Sequence, residues 1–181
     1  MASLGDKALL NNAYTTFHQQ HGTQLSGFKL DWEPLFTQDA IVIADVETRG
    51  LGLGQVQMIG EFVKQGGGLV GLGGLMTMGQ TDNMKRGWPE FLPVELNGPW
   101  EIRRCDPTVQ FAAPPKGSPL AGLKLDKPLS VFYRHMIKAK PGATVLLAGD
   151  HGEPLLVGMQ YGKGRVVVFT GTVLGLSLIH I

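Results

Sequence analysis

Hydrophobic residues recur along the chain with two different periods, which predict helices and strands in alternation. Between residues 7 and 20 the apolar positions are spaced by three and four residues, the period of an amphipathic helix. Residues 40–45, Ala-Ile-Val-Ile-Ala-Asp, are apolar on both faces and rich in β-branched side chains. That pattern is typical of a central strand in a parallel sheet covered by helices. Residues 25–30 are a weaker strand candidate.

A helix and a second strand follow this first strand. Residues 55–65 place their apolar side chains on one helical stripe, and the glycines at 66–68 end the helix. Residues 69–72, Leu-Val-Gly-Leu, form a second short apolar run. Strand, helix, glycine stop and strand predict a right-handed βαβ unit with parallel strands. The glycines of residues 50–54 lack the spacing of a dinucleotide-binding loop, so we expect a flexible connection there.

The rest of the chain predicts further strands around an irregular middle. Residues 73–87 have no apolar period and predict a loop at the carboxyl end of the second strand, where ligands bind in open α/β sheets. Six prolines occur between residues 93 and 119, where they interrupt regular structure. We expect short strands or extended segments at 88–96 and 108–112. Residues 143–148 predict a strand, and residues 154–170 predict a hairpin with glycines at its turn. The sheet should therefore be mixed, with a parallel core and an antiparallel end.

Composition narrows the class of protein. The chain has 181 residues, 43% hydrophobic and 17% charged, which suits one globular domain and excludes disorder. A net charge of +1 provides no basic field for nucleic acid or an anionic membrane. A single cysteine excludes a disulfide scaffold and a thiolate zinc site. No signal-peptide or membrane-helix pattern is present, so we expect no membrane insertion and a cytoplasmic location.

Residues 39–45, 62–74 and 154–170, together with Leu-Pro-Val-Glu-Leu at 92–96, resemble the class I glutamine amidotransferase-like domain, including its trehalose-utilisation-type members. The resemblance implies a flavodoxin-like three-layer α/β sandwich, with a mostly parallel sheet and a C-terminal β-hairpin. It also implies a single domain, residues 1–175, within a longer bacterial protein. The last six residues, 176–181, resemble a translated sequencing adapter, so we expect the native sequence to continue beyond about Gly175 and the domain to be truncated.

The family's catalytic chemistry does not carry over to this chain. Working amidotransferases place a nucleophilic cysteine on a tight turn after a strand. The matching turn is residues 71–75, Gly-Leu-Gly-Gly-Leu, which contains no Cys, Ser or Thr. Cys105 follows Arg103 and Arg104, which could make its thiol reactive, although an isolated thiol beside surface charges is the preferred interpretation. We therefore expect no glutamine hydrolysis.

The candidate site is the rim at the carboxyl edge of the two parallel strands. Its amides, hydroxyls and carboxylates could bind a small polar ligand such as a sugar or a carboxylate. The rim comprises Asp45, Glu47, Gly73, Gly74, Thr77 and Thr81. The leading hypothesis is a noncatalytic module that binds a small ligand or another domain of the parent chain, with a purely structural spacer as a further reading.

An enzyme of a different kind is the alternative to this binding module. It would be a hydrolase or transferase that acts on a small polar, carbohydrate-like substrate, with Asp45 or His135 as the base. The five histidines show no metal-ligand spacing, and core or surface roles are preferred for His135 and for the Asp150-His151 pair. We expect neither a metal nor a cofactor.

Overall fold

The computed structural model describes residues 32–44, 51, 53–74, 77–80, 87–98, 101–123 and 129–172. Its helices are α1 (Trp32–Phe36), α2 (Leu53–Gln65) and α3 (Trp88–Phe91), with a 3-10 turn at Met78–Gln80. Its strands are β1 (Ala40–Ala44), β2 (Gly68–Gly73), β3 (Val94–Glu95), β4 (Ile102–Gln110), β5 (Ser130–His135), β6 (Lys138–Ala139), β7 (Thr144–Ala148), β8 (Pro154–Tyr161) and β9 (Gly164–Thr172).

Strand β9 connects the parts of a seven-stranded sheet. It runs parallel to β2 from Arg165 to Phe169, and over the same stretch it forms an antiparallel hairpin with β8. Near its end it pairs with β5, where Arg134 lies opposite Gly171. The remaining strands extend the sheet as β1 beside β2, β4 beside β5 and β7 beside β8, and β3 and β6 form a separate two-stranded sheet.

The βαβ unit and the hairpin predicted from the sequence are confirmed. β1 and β2 are parallel in unbroken register from Ala40 opposite Gly68 to Ala44 opposite Leu72, with α2 between them. The helix begins two residues earlier than predicted, and it ends at Gly66, whose φ of 131° suits glycine. β7 lies within the predicted strand at 143–148, and the turn of the β8–β9 hairpin lies within the predicted glycine stretch.

The core lies between α2 and the sheet. Alternate residues of β9 point into it, and Val166 and Val168 are fully buried. The helix contributes buried side chains at three- and four-residue spacing. This spacing is the reason that the sequence predicted an apolar helical stripe here. These side chains are Val56, Ile59, Phe62 and Val63.

The expectation of a flavodoxin-like three-layer sandwich with a mostly parallel sheet is wrong. Among the described strands two pairs are parallel, β1–β2 and β2–β9, and the other five are antiparallel. A parallel connection needs a crossover of about a dozen residues or more, usually a helix. Beyond β2 the only described α-helix is α3, with four residues, so the later strands pair mainly by antiparallel contacts. The fold is sheet-rich and mixed.

The irregular middle is more ordered than predicted. Residues 88–91 are helical instead of extended, because Gly87 in the left-handed conformation and Pro89 in the first turn start a short helix. Of the predicted segment at 108–112, residues 108–110 belong to the nine-residue strand β4, and Phe111 forms an isolated bridge with Gly149. The predicted helix at 7–20, the strand at 25–30 and residues 176–181 lie outside the described residues.

We expect Gly164→Ala to lower the free energy of unfolding by about 2 kcal/mol or more, as overpacking of a tight contact does. A Cβ at position 164 would lie 2.1 Å from the Val63 carbonyl oxygen and 2.2 Å from that of Gly67, and backbone atoms cannot turn away. Gly54→Ala is the matched control, because a Cβ there meets nothing within 4 Å. Urea unfolding measures both variants, and equal stability of the two would contradict the packing described here.

Candidate functional site

A buried histidine–glutamate pair lies beside the carboxyl end of β2. His135 is the last residue of β5 and Glu101 directly precedes β4, and His135 pairs in register with Ile102. The β4–β5 pairing therefore brings together two residues that are 34 positions apart. His135 is 0% exposed and Glu101 is 5% exposed.

The Glu101 carboxylate is enclosed by hydrogen-bond donors. Its Oε1 lies 3.1 Å from Nδ1 of His135 and accepts a hydrogen bond of 2.6 Å from the Gly79 amide. Its Oε2 accepts a hydrogen bond of 2.8 Å from the Asn97 amide. A charge removed from water needs such partners, and two backbone amides and an imidazole N–H supply them here.

The other nitrogen of His135 fixes the protonation of the ring. Nε2 accepts a hydrogen bond of 3.3 Å from the Gly74 amide, so it carries no proton in this arrangement. The ring proton is then on Nδ1, which donates it to Glu101. Both nitrogens are therefore engaged inside the protein, and the arrangement holds backbone amides in place.

These contacts fix both ends of the segment that follows β2. The amide of Gly74 is bound to His135 and the amide of Gly79 to Glu101, so the two residues are tied to the same buried pair. Met78, between them, is buried with a φ of 56°, a left-handed conformation that a methionine rarely adopts. Such a conformation persists where the surrounding contacts impose it.

The glycines of this segment are required by close packing. A Cβ at Gly73 would lie 2.5 Å from the Gly171 carbonyl oxygen and 3.0 Å from Cδ2 of His135. A Cβ at Gly79 would lie 2.3 Å from Oε2 of Glu101. Part of the glycine excess near residue 70 thus allows strand and loop backbone to approach the buried pair.

Three of the six predicted rim residues are described, namely Gly73, Gly74 and Thr77. Gly73 and Gly74 are buried at the end of β2, and Thr77 is half-buried between the two anchored amides. Asp45, Glu47 and Thr81 lie outside the described residues, so a ligand site that uses them stays a prediction. Glu101 was missed because an isolated acid between Trp100 and Ile102 has no local motif.

Cys105 lies on β4, partly buried. Burial raises the pKa of its thiol and Glu153 adds to the rise, while Arg134 acts in the opposite direction. A raised pKa lowers the thiolate fraction, which supports the reading of Cys105 as an unreactive thiol. The arginine that acts on the thiol belongs to the neighbouring strand β5, and the sequence had suggested Arg103 and Arg104.

Two general properties can be stated for the described part of the chain. It contains no group of three or more His, Cys, Asp or Glu side chains placed to hold a metal ion. None of its helices has the length and apolar character needed to cross a membrane.

No protein-family model matches the chain, and no curated protein sequence matches it. The chain is similar to the solved structure of Cytoplasmic Protein STM1381 from Salmonella typhimurium LT2, with a TM-score of 0.71 and 23% identity, over 80% of this chain and 65% of that one. The chain is also similar to Cytoplasmic Protein STM3548 from Salmonella typhimurium, with a TM-score of 0.69 and 24% identity, over 81% of this chain and 65% of that one. A third similar structure is the mmIFT52 N-terminal domain, with a TM-score of 0.52 and 10% identity, over 78% of this chain and 69% of that one.

These likenesses show the fold alone, and the chain spans less than two thirds of the length of either Salmonella protein. They overturn the assignment to the class I glutamine amidotransferase-like domain, as does the predominance of antiparallel strand pairs. The passages that suggested it are a βαβ unit and a glycine-turn hairpin. Such units recur in unrelated α/β proteins, so the passages identified local structure correctly and the family wrongly.

Replacing Glu101 with glutamine should destabilise the fold by about 2 kcal/mol, the cost of leaving a buried donor unsatisfied. Glutamine has the shape of glutamate, but its NH2 group is a donor. It would face an N–H group whose hydrogen bond the carboxylate now accepts, and the two donors could not pair. Glu33→Gln, on the exposed side of α1, makes the same chemical change without burial. Urea unfolding of both variants measures the difference, and equal midpoints would show that the carboxylate is not needed.

Proposed function

We propose that this chain is a noncatalytic domain that binds a small polar ligand at the carboxyl edge of β1 and β2. The observation that carries the proposal is that the amides of Gly74 and Gly79, at the two ends of the segment that follows β2, are bound to the His135–Glu101 pair. Thr77 lies on this segment with its side chain half-buried. Backbone amides held in fixed positions lose little entropy when a ligand binds beside them, which favours recognition.

The same pair argues against catalysis by His135. A general base must come within hydrogen-bond reach of the proton it removes. His135 is fully buried, and its unprotonated nitrogen already accepts the Gly74 amide. The hydrolase or transferase alternative would therefore depend on Asp45, which lies outside the described residues. We propose binding in preference to it because His135 is not placed to act as a base.

The cellular setting is part of this proposal. Both Salmonella proteins carry the word cytoplasmic in their names, in agreement with the location predicted from the sequence. The partner domains of a longer parent chain, which the sequence suggested, stay a prediction.

The test is a thermal-shift screen of neutral monosaccharides and small dicarboxylates, namely glucose, galactose, succinate and malate, followed by calorimetric titration of any stabilising compound. We expect Thr77→Val to weaken binding about tenfold, which corresponds to one hydrogen bond of about 1 kcal/mol or slightly more. Thr144→Val, on the exposed start of β7, is the matched control and should bind normally.

Three outcomes would contradict this function. If none of the four compounds stabilises the protein, or if Thr77→Val binds as well as the original chain, the carboxyl-edge site is wrong. If a bound compound is converted to product on prolonged incubation, which proton NMR detects, the protein is an enzyme and the noncatalytic assignment fails.

A further inference from the structure

A cavity lies against α2, and it is lined by residues other than those of the rim. It is a cleft of about 250 Å³ between α2, α3 and the end of β8. The helix contributes residues at three- and four-residue spacing, and one of them, Val56, also belongs to the buried core. The cleft-lining residues are Leu53, Val56, Gln57, Gly60, Glu61, Lys64, Gly87, Glu90, Phe91 and Tyr161.

The floor of the cleft is aromatic because Gly60 has no side chain. Glycine inside a helix costs about 1 kcal/mol relative to alanine, so its position needs a reason. A Cβ at Gly60 would lie 3.1 Å from Cδ1 of Phe91, and glycine lets this ring pack on the helix. The Phe91 ring is also 6.0 Å from the ring of Tyr161, between centroids.

One wall of the cleft is apolar and accessible. Leu53 lines it and is 57% exposed, the most exposed large hydrophobic side chain of the described residues. Tyr161 is half-buried and also lines the cleft. A ligand with an apolar body would cover both side chains and gain by removing them from water.

The ionisable groups around this apolar centre are mainly acidic. Glu61 and Glu90 line the cleft, and Lys64 is the only basic residue among its described lining. Lys64 lies in the last turn of α2, where a cation stabilises the helix dipole, so it has a role in the helix itself. Glu61 accepts a hydrogen bond from Gln65 on one oxygen, Oε1.

We propose that the cleft binds a small organic ammonium ion with an apolar body. The ammonium group would lie between the carboxylates and the face of the Tyr161 ring, since both attract cations. The apolar body would cover Leu53 and the aromatic floor. This site is separate from the carboxyl-edge site, so the two proposals stand or fall independently.

The probe for the test is benzyltrimethylammonium, with phenylacetate as an anion that has the same aromatic body. Amide NMR spectra of the whole chain are recorded during titration with each compound. We expect the cation to shift the signals of α2, α3 and Tyr161, and phenylacetate to leave them unchanged. The double variant Glu61→Gln, Glu90→Gln should weaken binding of the cation about fivefold, the loss of two exposed charge interactions.

Glu33→Gln is the matched control, because it removes an exposed negative charge outside the cleft, and it should bind within twofold of the original chain. A second variant, Tyr161→Leu, keeps an apolar side chain in the cleft and removes the aromatic ring. It should also weaken binding of the cation. Absence of cation binding, equal binding of phenylacetate, or unchanged affinity in the double variant would each overturn the proposal. Thermal unfolding of every variant verifies that the fold is retained.

Discussion

The buried Glu101 carboxylate is the constraint on which the carboxyl edge of the structure depends. It accepts hydrogen bonds from two backbone amides and from His135, and His135 in turn accepts the amide of Gly74. The chain therefore joins the end of β2, the turn at Met78 and the strands β4 and β5 through one buried pair. A carboxylate at this depth without these partners would be strongly unfavourable, so the surrounding backbone must keep its geometry.

The burial and hydrogen bonds of the His135–Glu101 pair bear on whether His135 acts as a base or as a structural residue. A histidine beside a glutamate invites a catalytic interpretation, because such pairs orient bases in many enzymes. Here the imidazole has no exposed surface, and its acceptor nitrogen is occupied by a backbone amide. The pair therefore holds the backbone amides of Gly74 and Gly79 in place, which is a structural role and not that of an accessible base.

The sequence predicted the parts of the fold that depend on local patterns. The stripe of α2, the apolar runs of β1 and β2 and the glycine turn of the β8–β9 hairpin were all legible, since each follows from spacing within a few residues. The pairing of β4 with β5, and of β5 with β9, joins segments far apart in the chain and has no local signature. The fold class was wrong for that reason, because it extended the parallel order of residues 40–73 to the whole sheet.

The candidate site was predictable to the same limited degree. The rim of Asp45, Glu47, Gly73, Gly74, Thr77 and Thr81 stays a prediction, which rests on the rule that polar groups of loops converge after a parallel strand. Glu101 was not found, since its partners come from the loop at residue 79, from Asn97 and from another strand. His135 was considered as a base or a core residue, and only its two hydrogen bonds distinguish these roles.

Nitrogen-15 NMR of the His135 ring tests the central claim most directly. Long-range proton–nitrogen correlations distinguish an imidazole protonated on Nδ1 from one protonated on Nε2 or on both nitrogens. A locked structural pair predicts that the ring proton is on Nδ1, hydrogen-bonded to Glu101, and that Nε2 is unprotonated. A proton on Nε2, or a doubly protonated ring, would be incompatible with the Gly74 hydrogen bond and would contradict the account.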